Sequence, residues 1–200
     1  MVQNIKLLMA LTSIAVTPFA GAIAQSTAPK PPKVVVLAVA KDPAQGAVLI
    51  GRTVNDGLTL QLEIEGSEAM WMPMGTPAKW REHTPTKAER YHVEFKVTDL
   101  ATKTRLPYAV VTFAAKNTDT GKGVKVILPP MWGSSGLHYS ENSTLAGDGS
   151  YSATVTVGIP SFARELKDKA LWSKPVAGSF HFKLKDGKVI EVSEPVDAPN

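Results

Sequence analysis

The chain has 200 residues, with 22 lysines and arginines against 18 aspartates and glutamates, no cysteine, and a formal charge of +4. The basic excess is small and is not gathered into a Lys/Arg block, which argues against a nucleic-acid partner. Without cysteine there are neither disulfides nor thiolate ligands, so packing must hold the fold and any soft-metal site must use methionine.

Residues 1–24 read as a secretory signal peptide. Lys6 precedes the apolar run LLMALTSIAV, and Ala22 and Ala24 supply the small positions before a cut at Gln25. The run is too short to cross a bilayer, and no cysteine stands at the new terminus to carry a lipid. A soluble periplasmic protein with no membrane span is therefore expected. QSTAPKPPK, residues 25–33, predicts an extended proline-rich linker, and residues 34–200 a single domain.

From Val34 the chain consists of short runs: VVVLAVA, AVLIGRTV, LTLQLEIE, YHVEFKVTDL, YAVVTFAAKN, VKVILP, YSATVTVGI, SFHFKL and VIEVS. They are rich in β-branched and aromatic residues and are separated by turn signals such as NDG, NTDTGKG, AGDGS and KDGK. This pattern predicts an all-β fold, an antiparallel β-sandwich. TDTGKG and KDGK are the clearest hairpin turns, because glycine supplies the positive φ that tight reversals need. Residues 66–90 hold three prolines and two glycines without a clear period, and predict a long Met-rich excursion rather than a strand. SFARELKDKALW, residues 161–172, predicts a loop or short helix ended by Pro175.

Three methionines, Met70, Met72 and Met74, crowd into AMWMPM within that excursion. Spacing of two along an extended segment puts alternate sulfurs on one side, as Cu(I) binding through thioethers requires; the alternative is that they fill gaps in a core. In YHVEFKV, alternation sends Tyr91, Val93, Phe95 and Val97 to the core, and His92, Glu94 and Lys96 to the other face. His92 and Glu94 then project together about 7 Å apart along the strand, either toward one cation or into solvent. His83 lies in the excursion, from which it could swing inward, and His181 alternates with Phe180 and Phe182 as an ordinary strand residue. In MWGSSGLHY, Gly133 and Gly136 let a loop fold back so that Met131 and His138 face one point, a sulfur and nitrogen pair that suits copper. A hydrolase built on Ser134 or Ser135 with His138 lacks both the strand-to-helix elbow and an orienting acid.

Taken together and in order, ERYHVEFKV, LPYAVVTFAAKNTDTGK, PPMWGSSGLHYSENSTLAGDGSYSATVTV and WSKPVAGSFHF resemble the periplasmic ferrous-iron transport protein family. These are copper-containing proteins of high-affinity iron uptake. The resemblance runs from about Val48 to Leu184. It implies an immunoglobulin-like sandwich, a homodimer, a copper site, and a role handing iron to an inner-membrane iron permease. Iron is a second candidate metal, and no enzymatic activity is expected. The family's metal ligands fall on His92, Glu94, Met131 and His138. Met70 is similar to a methionine after the family's early strand, and Met72 and Met74 are additions of this chain. There are two departures. Ser135 stands where the family has an acid, and SFARELKDKALW lacks the histidine of the family's His-rich loop. His83, Met72 or Met74 are the candidate replacements. Soft donors without the acid favour Cu(I) over harder ions. Two other readings remain open: a Cu(I) chaperone or copper-resistance protein unconnected with iron, and a metal-free sandwich used in adhesion or assembly.

Overall fold

A computed structural model describes residues 31–196, and strands are numbered in chain order. One sheet has six strands in the spatial order β1 (Val34–Lys41), β13 (Lys188–Ser193), β12 (Val176–Lys185), β11 (Gly149–Val157), β7 (Val111–Asn117) and β8 (Gly123–Leu128). The other has five: β2 (Val48–Asn55), β3 (Leu58–Gly66), β6 (Tyr91–Asp99), β10 (Gly136–Ser143) and β9 (Pro130–Gly133). The described neighbours pair antiparallel, and the apolar inner faces meet in one core, so the chain is an immunoglobulin-like β-sandwich.

The core follows from strict alternation. Leu58, Leu60, Leu62 and Ile64 of β3 are buried, as are Val93, Phe95 and Val97 of β6, and Phe180, Phe182 and Leu184 of β12. Phe95 and Phe180 meet edge-on across the two sheets, with ring centroids 6.1 Å apart and planes at 82°. Tyr151 on β11 donates its hydroxyl to the carbonyl of Gly147 four residues upstream, the tyrosine corner of immunoglobulin-like sandwiches. The buried Tyr139 of β10 donates to the Leu106 carbonyl at 2.9 Å and accepts from the Ala109 N–H at 3.0 Å, which ties the β6–β7 connection to the second sheet.

The hairpin expected at KDGK joins β12 to β13, with Asp186 at φ 52° and Gly187 at φ 74°. TDTGKG joins β7 to β8 through Gly121 at φ 75°. Residues 161–172 contain only the short 3₁₀ turn Leu166–Asp168.

Residues 66–90 differ from the expectation of an excursion without strands. They contain a two-stranded ribbon, β4 (Met70–Met74) and β5 (Lys79–His83). Each strand has only five residues, too few for a period to show through the prolines. Pro73 is tolerated because each strand of a lone ribbon has a free edge. Similarly, the fold-back at 128–140 is the strand hairpin β9–β10 rather than a loop.

The proposed signal peptide, residues 1–24, lies outside the described residues, as does most of the linker 25–33. At the start of the described chain, Lys33 lies 3.3 Å from Glu194, and its carbonyl accepts from the Glu194 N–H. Among the described residues no helix is long and apolar enough to cross a membrane.

Candidate metal centre

The outer face of the five-stranded sheet carries the candidate ligands. Across β3 and β6, Glu65 pairs with His92 and Glu63 with Glu94; across β10 and β6, Asn142 pairs with His92 and Ser140 with Glu94. An outer face of this kind is ordinarily solvated. Here His92 is 0 % exposed, Glu94 6 % and His138 4 %, and Ser140 and Asn142 are also buried. Part of the cover comes from the chain leaving β3. Its Glu68 N–H donates to Asn142 Oδ1 at 3.3 Å, and its Glu68 carbonyl accepts from Asn142 Nδ2 at 2.9 Å. That segment leads directly into Met70, which is 4 % exposed.

The β9–β10 hairpin sets Met131 directly opposite His138, with Ser134 and Ser135 at its turn and Gly136 at φ 80°. A Cβ on Gly133 would stand 3.0 Å from Cε1 of His138, so the missing side chain makes room for the imidazole. His138 Nδ1 is 2.9 Å from the Gly136 carbonyl. A carbonyl only accepts, so Nδ1 carries the proton and Nε2 keeps its lone pair for a ligand. Ser135 Oγ donates to Glu94 Oε1 at 2.8 Å, which ties the turn to β6, and that carboxylate oxygen is 3.8 Å from His138 Nδ1. Ser140 Oγ donates to the Met131 sulfur at 3.0 Å.

Glu94 is held ionised by its neighbours. Burial pushes its carboxyl up, but hydrogen bonds from Lys96 and Ser135 and the nearby His138 and Lys96 outweigh this and leave it below the ordinary glutamate range. Lys96 Nζ lies 2.8 Å from Glu94 Oε1 and 2.6 Å from Glu63 Oε2. Burial lowers the Lys96 pKa, while the two carboxylates raise it, and the net direction is up. Gln61 Nε2 donates to Glu63 and completes this row.

His92 sits one same-face step from Glu94 but is oriented elsewhere. Its Nδ1 is 3.1 Å from Asn142 Oδ1. Because Asn142 Nδ2 donates to Glu68, Oδ1 is the acceptor, and Nδ1 carries the proton. Nε2 is buried without a hydrogen-bond partner and lies 3.6 Å from Glu68 Oε1. Glu65, Glu68 and His92 bring one ligand atom each within 4.8 Å of the others. Burial pushes the Glu65 carboxyl up; His92 opposes this, and Glu68, Glu94 and Glu63 add to it.

The ribbon pairs Met70 with His83, Met72 with Arg81 and Met74 with Lys79, so the three sulfurs share one face. Met70 is buried, whereas Met72 and Met74 are half-buried. His83 Nε2 lies 3.4 Å from Glu89 Oε1. The structure thus brings Met131, His138 and Glu94 together at the hairpin, directs His92 toward Glu65 and Glu68, and leaves Met72, Met74 and His83 on the ribbon. Sequence reasoning missed Glu65, Glu68, Ser140 and Asn142. Alternation in LTLQLEIE places Glu63 and Glu65 on the outer face and could have flagged them; Glu68, beyond the strand, had no such signal.

The class of protein is therefore an immunoglobulin-like sandwich with sulfur, nitrogen and carboxylate donors buried on the outer face of one sheet. Residues 82–185 match the profile of the Fe2+ transport protein family, and the chain belongs to that family. UPF0423 proteins of Brucella abortus and Brucella suis are 34% identical over 86 residues, which is 38% of this chain and 47% of theirs. The chain thus spans about half the length of these curated relatives. Among solved structures, FetP of a uropathogenic Escherichia coli strain is 22% identical with a TM-score of 0.58, covering 69% of this chain and 95% of that one. A copper-bound variant of Campylobacter jejuni P19 is 23% identical with a TM-score of 0.59, covering 70% of this chain and 98% of that one. At these identities the likeness is one of fold.

Proposed function

We propose that this protein binds copper in the periplasm and supports ferrous-iron uptake as a homodimer working with an inner-membrane iron permease. The observation that carries the copper assignment is the β9–β10 hairpin. It holds a thioether opposite an imidazole whose Nε2 is free, beside a buried ionised carboxylate. That donor set fits copper: sulfur suits Cu(I), and imidazole with carboxylate suits the oxidised ion. Met131, His138 and Glu94 would hold it; the resemblance adds His92, whose Nε2 here points to Glu68. Bound copper supplies a one-electron couple. The iron role is supported by family membership, and copper-bound P19 among the structural neighbours supports the choice of metal.

The test is a competitive copper titration with elemental analysis on wild type, Met131→Leu and His138→Asn. The reading requires about one copper per chain, with affinity reduced at least about tenfold in each variant at unchanged fold. Unaltered affinity in both would refute the site. A deletion strain that fails under iron limitation supports the iron role, and size-exclusion chromatography with light scattering tests the dimer.

A second reading is favoured by the ribbon, whose three sulfurs share one face. In it the protein buffers Cu(I) through Met70, Met72 and Met74 without any link to iron. A deletion strain sensitive to added copper but normal under iron limitation would favour it.

A further inference from the structure

We propose that the tip of the β4–β5 ribbon is a peripheral membrane anchor that seats on a bilayer surface rich in anionic phospholipid. The inference does not depend on metal binding at the β9–β10 hairpin or on the iron role. The ribbon is a two-stranded sheet of its own, and exposure rises along it away from the sandwich. At its root Met70 is buried and His83 is half-buried beside Glu89. Met72 and Met74 are half-buried, and residues 75–82 are all exposed.

A projecting turn is ordinarily polar, and this one is not. Behind the closing residues 75–78, the ribbon pairs Met74 with Lys79, Pro73 with Trp80, Met72 with Arg81 and Trp71 with Glu82. Trp71 and Trp80 share one face with Pro73 and are 68% and 63% exposed. A tryptophan exposed singly needs no explanation, but two beside a proline at the end of a ribbon form an apolar patch of the kind that a partner covers.

Charge and depth choose that partner. Between Glu68 and Glu82 the sequence has no acid, and its only charges are Lys79 and Arg81. Successive pairs stand about 3.4 Å apart, so Trp71 and Glu82 lie about 10 Å behind the tip pair. Interfacial segments sink about 5–10 Å into the boundary between headgroups and acyl chains. Entry of the tip to that depth covers Met74, Pro73 and Trp80, and keeps Trp71 and Glu82 at the outer edge. The long stems of Lys79 and Arg81 then carry their charges back to the lipid phosphates. Tryptophan suits this boundary because its ring is apolar and its N–H reaches the headgroups. A sugar chain also stacks on tryptophan, but it needs polar groups beside the rings to orient it. The tryptophan face of the ribbon offers Glu82 alone, and a sugar would leave the two cations without a role.

The test is co-sedimentation with lipid vesicles, together with tryptophan fluorescence, on the purified chain beginning at Gln25, the start expected after signal-peptide removal. One set of vesicles holds phosphatidylglycerol and phosphatidylethanolamine in equal parts, and the other phosphatidylcholine alone. Wild type should partition at least about tenfold more strongly to the anionic vesicles, with blue-shifted emission and binding that weakens as salt rises. Trp71→Ser/Trp80→Ser should reduce this partition at least about tenfold at an unchanged melting temperature, because both rings are exposed. Lys79→Gln/Arg81→Gln should reduce it about tenfold or more, since each cation at an anionic surface is worth about fivefold. Trp132→Ser, at an exposed ring on β9, should stay within about twofold of wild type. The proposal is overturned if wild type ignores the anionic vesicles, if it binds phosphatidylcholine equally well, or if either double variant binds unchanged. It is also overturned if Trp132→Ser loses as much as the ribbon variants. Sedimentation with peptidoglycan in place of vesicles would assign the tryptophans to sugar and overturn it too. Copper affinity in Met131→Leu and His138→Asn reports separately on the hairpin reading.

Discussion

At the scale of single residues, the outer face is organised by charges that satisfy one another. Lys96 lies between Glu63 and Glu94, with all three side chains largely buried. Lys96→Met should therefore leave two buried carboxylates without a cation and destabilise the fold by about 3–5 kcal/mol. Adding Glu63→Gln to that variant should recover part of the loss. A double-mutant cycle in urea measures the coupling, and a value near zero would contradict the arrangement. Asp99 shows the same logic at the end of β6, where its Oδ2 accepts from the Thr102 N–H at 2.9 Å and the Thr102 hydroxyl at 2.6 Å. Burial pushes the Asp99 carboxyl up, but these bonds, the Ala101 N–H and the Lys103 charge bring it below the ordinary aspartate range. A carboxyl lowered by folding contributes stability above its unfolded pKa, and this is lost as pH falls through the folded value. Asp99→Asn should destabilise by less than about 1.5 kcal/mol at neutral pH, since the site is solvated. The gap to wild type should shrink below about pH 4; a gap that stays constant into strong acid would exclude the carboxylate as its source.

At the scale of elements, the β9–β10 hairpin turns a short glycine-bearing sequence into ligand geometry. Two strands of period two, closed by Ser134 and Ser135, put Met131 and His138 side by side without any long-range contact. Gly133 is needed for space rather than for an unusual φ, because a methyl group there would press on the His138 ring. Gly133→Ala should consequently reduce copper affinity while shifting the melting temperature by only a few degrees, a change of about 1 kcal/mol or less. Copper titration beside a thermal melt checks this; unchanged affinity would mean that the ring has room to move. The β4–β5 ribbon is the complementary case, in which alternation alone gathers three sulfurs on one face. The same alternation places Trp71 and Trp80, 68% and 63% exposed, on the other.

For the whole molecule, the site depends on the sandwich beneath it. β6 gives its inner face to the core and its outer face to the ligands, so inter-sheet packing fixes where His92 and Glu94 project. Phe180 is the contact from the opposite sheet, 1 % exposed and edge-on to Phe95. Phe180→Ala should cost about 3–5 kcal/mol through lost burial and the cavity left behind. In urea the midpoint should fall with the slope unchanged. A loss below about 1 kcal/mol would show that the sheets close over the gap.

The sequence by itself determined the features that depend on local covalent geometry. Period-two alternation in YHVEFKV separated the core residues from His92, Glu94 and Lys96, and glycine in KDGK and TDTGKG marked two hairpins. Spacing around Gly133 and Gly136 brought Met131 and His138 into view, and the motifs carried the family resemblance. The tertiary structure decided what alternation leaves open: whether the outer face of a sheet meets water or is covered. Strand register set Glu65 and Asn142 beside His92, and the return of the chain after Gly66 brought Glu68 over them. The reason is physical: desolvation and tautomer are properties of groups brought together from distant parts of the chain, and no single stretch contains them.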